Sequence, residues 1–259
     1  MQHEAGAPFG AIRIGRIGWT LISLSTLLAL WAIAAAIVQS RYLPDPLTVV
    51  EVMGREWQNG DLWRNIVATL IRVFFSFTIA IFVGSAIGLL LGRHPLADRF
   101  FDPWVSFFLN LPALVIIILC YIWFGLTEVA AVLAVAINKI PNVAVTMREG
   151  ARSLSKDLIE MAQIYRFGWW KTLRHVTVPQ LAPFFIAASR TGLSLVWKIV
   201  LVVEAFGRSD GVGYQLNIAF QLFDVPMILA YSLAFIAVVQ LIELALLQPM
   251  IARTNRWRR

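Results

Sequence analysis

An all-α polytopic membrane protein is the fold class this sequence predicts, and three observations predict it. The chain of 259 residues is 59% hydrophobic and 14% charged, whereas soluble domains carry about a quarter charged residues. Its apolar runs reach membrane length, since about 20 such residues at ~1.5 Å each cross ~30 Å of hydrocarbon. Finally, the basic residues divide unequally between the two sides that alternating spans would define.

Six spans follow from the apolar runs. The first is Ile17–Val38, which is long enough to cross and lacks a small-residue cleavage pattern at its end. It therefore reads as a retained helix and not a cleaved leader. The next are Ile66–Leu91, Trp104–Phe124 and Thr127–Met147, then Leu181–Phe206 and Pro226–Leu247. On the second, Ser76, Ala80, Gly84, Gly88 and Gly92 recur every four residues, a small-residue stripe that lets another backbone approach closely. Before it, Pro46–Trp63 mixes acids, scattered apolar residues and two tryptophans, as expected of a helix lying at the outer interface. Residues 1–16 are expected as a cytoplasmic tail, 17–250 as one membrane domain and 251–259 as a basic cytoplasmic tail.

Fourteen of the 22 Lys and Arg fall on the side made of the N-terminus, Gly92–Pro103, Arg148–Gln180 and the C-terminal tail. The opposite side holds Arg41, Arg55, Arg64 and Arg208. Cytoplasmic loops carry the excess, so both termini are placed in the cytoplasm. The net charge of +7 is thus a topology signal and calls for no nucleic-acid partner.

Catalytic readings fail on geometry. The stretch "GRSDG", Gly207–Gly211, fits the G-x-S-x-G pattern, which works on a strand-to-helix elbow within reach of a histidine. Here it follows a membrane helix, and His3, His94 and His175 belong to the other side. Those histidines are too scattered for a metal cluster, and no H-E-x-x-H pair occurs. Cys120 is the single cysteine, so neither an internal disulfide nor a Cys-based zinc site is possible. No Gly-Lys dipeptide exists, so the chain has no P-loop. It is read as a non-enzyme without cofactor, and any ATP that drives it belongs to another chain.

The loop over 148–178 is polar, aromatic and basic. Within it Leu158, Ile159, Met161, Ala162, Ile164 and Tyr165 form no membrane-length run, which suggests a short helix with an apolar face to bury. A partner protein is the candidate.

"EMAQIYRFGWWKTLRHVTVPQLAP", Glu160–Pro183, resembles the Glu-Ala-Ala loop of ATP-binding-cassette importer permeases. That pattern runs Glu-Ala-Ala, three residues, glycine, then an aliphatic pair and proline. Glu160, Ala162, Val176, Val178 and Pro179 fit it. Met161 replaces the middle alanine, and Arg166 stands where glycine is expected, with Gly168 two residues later. "LPDP" at Leu43–Pro46, "TLIR" at Thr69–Arg72, "IWFG" at Ile122–Gly125, "SLVWKIVLVVE" at Ser194–Glu204 and "GVGY" at Gly211–Tyr214 resemble the nitrate, sulfonate, taurine and bicarbonate branch. Pro112 opens the third helix as in that family, with Ile118 in place of a second proline.

The resemblance implies six spans and a cytoplasmic coupling helix between the fourth and fifth. The coupling segment comprises Lys156, Glu160, Met161, Ala162, Ile164, Tyr165, Arg166 and Gly168, docked in a groove of an ATPase subunit. It further implies a homodimer with two P-loop ATPase copies that bind ATP and Mg. A periplasmic or lipid-anchored binding protein would deliver a small anionic solute to the bacterial cytoplasmic membrane. The alternative is a self-contained channel or secondary carrier.

Candidates for the translocation path are Lys198, Trp197, Glu204, Lys139 and Asn110. On the fifth helix Arg190, Trp197 and Glu204 share one stripe, with Lys198 about 100° away. A mid-helix lysine costs roughly 2.5–3.5 kcal/mol on insertion scales, so it faces protein or a watery cavity. Two readings of Lys198 stay open: an ion pair with Glu204 or Glu243, or attraction of an anionic substrate.

Overall fold

In a computed structural model, which describes residues 16–247, the chain is helical, with no strand among those residues. The tails expected over 1–16 and 251–259 lie, save Arg16, outside the described residues. Helix α1 (Arg16–Val38) leads to α2 (Pro46–Gln58), which starts on a proline whose missing N–H would have had no helical partner. Asp45 caps α2 by accepting the Thr48 N–H at 3.3 Å and the Thr48 hydroxyl, and that hydroxyl holds the Asp45 carboxyl below the usual carboxylate range. Gly60, at φ +82°, makes the turn into α3 (Asp61–Arg93). The Pro46–Trp63 interface segment is therefore α2 plus the first turn of α3. The second span begins at Asp61, not Ile66, because a polar first turn is invisible to an apolar-run criterion.

The third span differs most from expectation. In place of one helix over 104–124, α4 (Pro95–Asn110) and α5 (Ala113–Phe124) meet at a 95° bend. Pro112 lacks an N–H and forces its predecessor out of the helical region, and Leu111 is extended at φ −68°, ψ 126°. Gly92–Pro103, read as a loop, supplies the start of α4. Arg148 binds Asp102 at 2.6 Å and Asp98 at 3.2 Å, and Arg152 also pairs with Asp98, so α4 is pinned to the end of α6 (Glu128–Arg152).

After α6 come α7 (Lys156–Ile164) and α8 (Trp169–Thr172). A π-helical turn over Leu173–Thr177 joins α8 to α9 (Val178–Gly207). The span expected at Leu181 is thus continuous from Trp169 to Gly207. Helix α10 (Val212–Gln221) precedes α11 (Val225–Ile242), and a second π-helical turn covers Glu243–Leu247. Five helices among the described residues are long and apolar enough to cross a membrane, or six if the bent α4–α5 pair crosses as one span.

The core is the parallel pair α3 and α6, with α9 across both. Small residues set its spacing. A Cβ on Gly84 would stand 2.7 Å from Val143 Cβ, and one on Gly92 would stand 2.5 Å from Ala151 Cβ. Gly84, Gly88 and Gly92 of the stripe are the surface by which α3 meets α6.

Candidate coupling surface and translocation path

The two ends of the bundle differ in chemistry. At the end where α3 and α6 finish and α9 starts, α7 hangs from a short connection. Ser155 caps α7 through the Leu158 N–H, and its own N–H donates to Gln180 Oε1 of α9 at 2.9 Å. Only Ala162 of α7 is buried. Leu158, Met161, Ile164 and Tyr165 are exposed, Ile164 by 79% and Tyr165 by 71%, so the chain itself does not cover the apolar face of this helix. Lys156, Glu160, Arg166 and Gly168 are exposed beside it.

The turn after α7 explains a departure noted in the sequence. Arg166 adopts a left-handed backbone at φ +51°, the Phe167 N–H donates to Ala162 O at 2.8 Å and the Arg166 N–H to Gln163 O at 2.9 Å. This is the helix stop that usually places glycine at the left-handed residue. Arg166 makes the turn glycine would make, at a steric cost of about 1–2 kcal/mol. Replacing it by glycine is expected to stabilise the protein by about 0.5–1 kcal/mol after the entropy glycine adds to the unfolded chain. Thermal unfolding in detergent checks this: a higher midpoint is expected, and a lower one means the arginine side chain holds a contact that outweighs the strain.

At the opposite end a buried charge cluster ties α3, α6, α9 and α10 together. Arg72 of α3 is 4% exposed and uses all five donors. Its Nη1 donates to Glu204 Oε1 at 2.6 Å and to Asp210 O at 3.0 Å. Its Nε and Nη2 grip Glu128 at 2.9 and 2.7 Å, and Nη2 also reaches Asp210 Oδ1. Arg208 adds a second cation on Glu128 at 2.6 Å. Glu204, fully enclosed, also accepts the Gly213 N–H at 2.9 Å, while Asn65 Oδ1 and Thr69 Oγ1 accept those of Gly211 and Val212. The start of α10 thus gives its free N–H groups to side chains of α3 and α9, with a carboxylate at the positive end of the helix. Gly213 is required because a Cβ there would strike Leu201 O. The "GRSDG" stretch is part of this clasp, while His94 and His175 lie at the far end of the bundle.

The path candidates separate. Glu204 belongs to the clasp and pairs with Arg72, so the ion pair between Lys198 and Glu204 does not form. The two residues lie on different faces of α9, and Arg72, 132 positions earlier, reaches the carboxylate first. Trp197 is 8% exposed and packs edge-on against Phe235 of α11. Arg190 continues the Trp197–Glu204 stripe but is exposed. Lys198 is exposed and makes no ion pair with Glu243. Both line a hollow of about 240 Å³ with Arg190, Ser194 and Gln240. Asn110 ends α4, exposed, with its amide donating to Ser106 O at 2.8 Å. Lys139 is 2% exposed inside α6. Composition and hydropathy revealed neither the Arg72 clasp nor the α4–α5 bend, although "TLIR" and Pro112 stood in the sequence as their signals.

A bundle of membrane-crossing helices with an uncovered amphipathic helix at one end and a bonded clasp at the other has the layout of a transport permease. The chain belongs to the family of binding-protein-dependent transport system inner membrane components, which it matches over residues 80–248. It is 26% identical to the taurine transport system permease protein TauC of Escherichia coli, over 86% of this chain and 84% of the relative. It is 30% identical to the riboflavin transport system permease protein RibX of Chloroflexus aurantiacus, over 90% and 88%. The crystal structure of an amino acid ABC transporter with histidines shares the fold, with a TM-score of 0.60 at 19% identity over 78% of this chain and 97% of that one. The chain is therefore the membrane permease component of an ABC importer.

Proposed function

We propose that two copies of this chain form the path of an ATP-driven importer for a small anionic solute, with an organic sulfonate such as taurine as the first candidate. The observation that carries the coupling is α7, nine residues of which Leu158, Met161 and Ile164 stay uncovered at the end rich in Arg and Lys. An exposed Ile164–Tyr165 pair on a water-facing helix is unfavourable unless a partner buries it. The partner is a P-loop ATPase, which supplies ATP and Mg; one sits under each copy, and closure of the two ATPases alternates the path between its sides. The basic excess puts the α7 end and both termini in the cytoplasm of a bacterial inner membrane. The clasp end then faces a periplasmic or lipid-anchored binding protein.

Riboflavin is neutral, so the anion reading rests on this chain's own cations: Arg190 and Lys198 open on α9, and Lys139 buried in α6. The test is reconstitution of the chain with its cognate ATPase and binding protein, followed by uptake of radiolabelled taurine. Uptake that requires ATP on the α7 side is expected. Flux without ATP or ATPase would identify a channel or secondary carrier instead.

A further inference from the structure

Lys139, Gly192 and Phe77 stand near the middles of α6, α9 and α3. A Cβ on Gly192 would lie 3.2 Å from Lys139 Cε and 3.3 Å from Phe77 Cε2. The lysine stem therefore crosses α9 through the notch that this glycine leaves. Lys139 is 2% exposed, yet it has no hydrogen bond and no ion pair among the described residues. That distinguishes it from Arg72, whose buried charge is matched by three carboxylates. Within a turn of this contact Asn142 on α6 and Arg190, Thr191 and Ser194 on α9 are exposed, alongside Leu195. Thr191 and Asn142 bond back to their own helices, but an exposed Arg190 so near the middle of a span is costly in lipid, so this surface faces water or protein.

An ammonium at mid-membrane without a counter-charge is costly, and no carboxylate among the described residues offsets this one. Resting on the importer reading above, we infer that Lys139, reached across the Gly192 notch, holds the transported anion at mid-membrane. It does so with one charge-assisted hydrogen bond per chain to a sulfonate-type or carboxylate-type oxygen. The site attracts the solute because it is short of one negative charge, and Gly192 keeps the approach open.

Thermal unfolding of the purified full-length chain, titrated with sodium ethanesulfonate at constant ionic strength, tests this. The midpoint of the wild type is expected to rise saturably. A charge-assisted hydrogen bond contributes about 1.5–3 kcal/mol, so Lys139→Met should raise the half-saturating concentration about tenfold or more. Lys139→Arg should retain most of the response, and Arg55→Met, at an exposed site on α2, all of it. Gly192→Val fills the notch without altering charge and should reproduce the loss, so the inference stays testable if Lys139→Met fails to assemble. A Lys139→Met response equal to wild type overturns it, as does a wild type that never responds. The latter is expected if the lysine is neutral or pairs with a carboxylate of the second copy. Uptake in reconstituted vesicles separates the two readings. Transport without an anion response sinks the Lys139 site alone, and a Lys139-dependent response without ATP-driven transport sinks the importer reading alone.

Discussion

Arg72→Met is expected to abolish accumulation of the protein in the membrane. Removing one partner of a buried ion pair costs about 3–5 kcal/mol, because the remaining charge stays buried and unmatched. Here the loss strands Glu204, which has no exposed surface, and leaves Glu128 with Arg208 alone. It also frees the Asp210 carbonyl and leaves the Asp210 carboxylate only Arg208 at 4.0 Å, so the loop before α10 loses its hold on α3. Typical domains are stable by only about 5–15 kcal/mol, so a large fraction of the total disappears. Membrane abundance and thermal midpoint check this. Arg72→Met with Glu204→Gln should recover part of the loss, since a neutral amide still accepts the Gly213 N–H. Normal abundance of the single variant would mean the clasp is dispensable. Lys198→Met, by contrast, should leave abundance unchanged, because no carboxylate among the described residues depends on that lysine.

What the sequence made legible follows from the range of the forces involved. Membrane spans are written in contiguous residues, because lipid forces each helix to satisfy its own backbone. Five of the six expected spans were therefore readable, including the α3 face that Gly84, Gly88 and Gly92 press on α6, while the third is a bent pair of helices. The short helix that is α7 was readable because the apolar residues from Leu158 to Tyr165 form a helical face without reaching span length. Partner choice across the fold was not. In sequence terms Glu204 is a candidate partner for Lys198, yet it is held by Arg72, and nothing local encodes a contact over 132 positions. The α4–α5 bend had a local cause in Pro112, but a hydropathy window averages across a single residue that lacks an N–H. Arg166 was visible as a departure from glycine, and only the backbone showed that the same left-handed turn is made regardless.

Ile164→Asp with Tyr165→Asp should disconnect ATP hydrolysis from transport while leaving the permease intact. Both side chains are already exposed, so their loss removes no packing within the chain and abundance should hold. In an ATPase groove the same change puts two carboxylates where apolar side chains were buried. Losing an anchor of that kind costs about 2 kcal/mol or more, a factor of roughly 30 in affinity. Ala162→Trp is the companion, since Ala162 is the buried side of α7 and a large ring there lifts the helix from its support. Glu160→Lys reverses the charge beside the same face. The most direct measurement is the ATPase rate of the reconstituted complex with wild-type chain and with the Ile164→Asp, Tyr165→Asp chain at equal permease content. A rate stimulated by the wild type and reduced about tenfold or more toward the basal rate of the ATPase in the variant is the predicted result. Undiminished stimulation by the variant would contradict α7 as the docking helix.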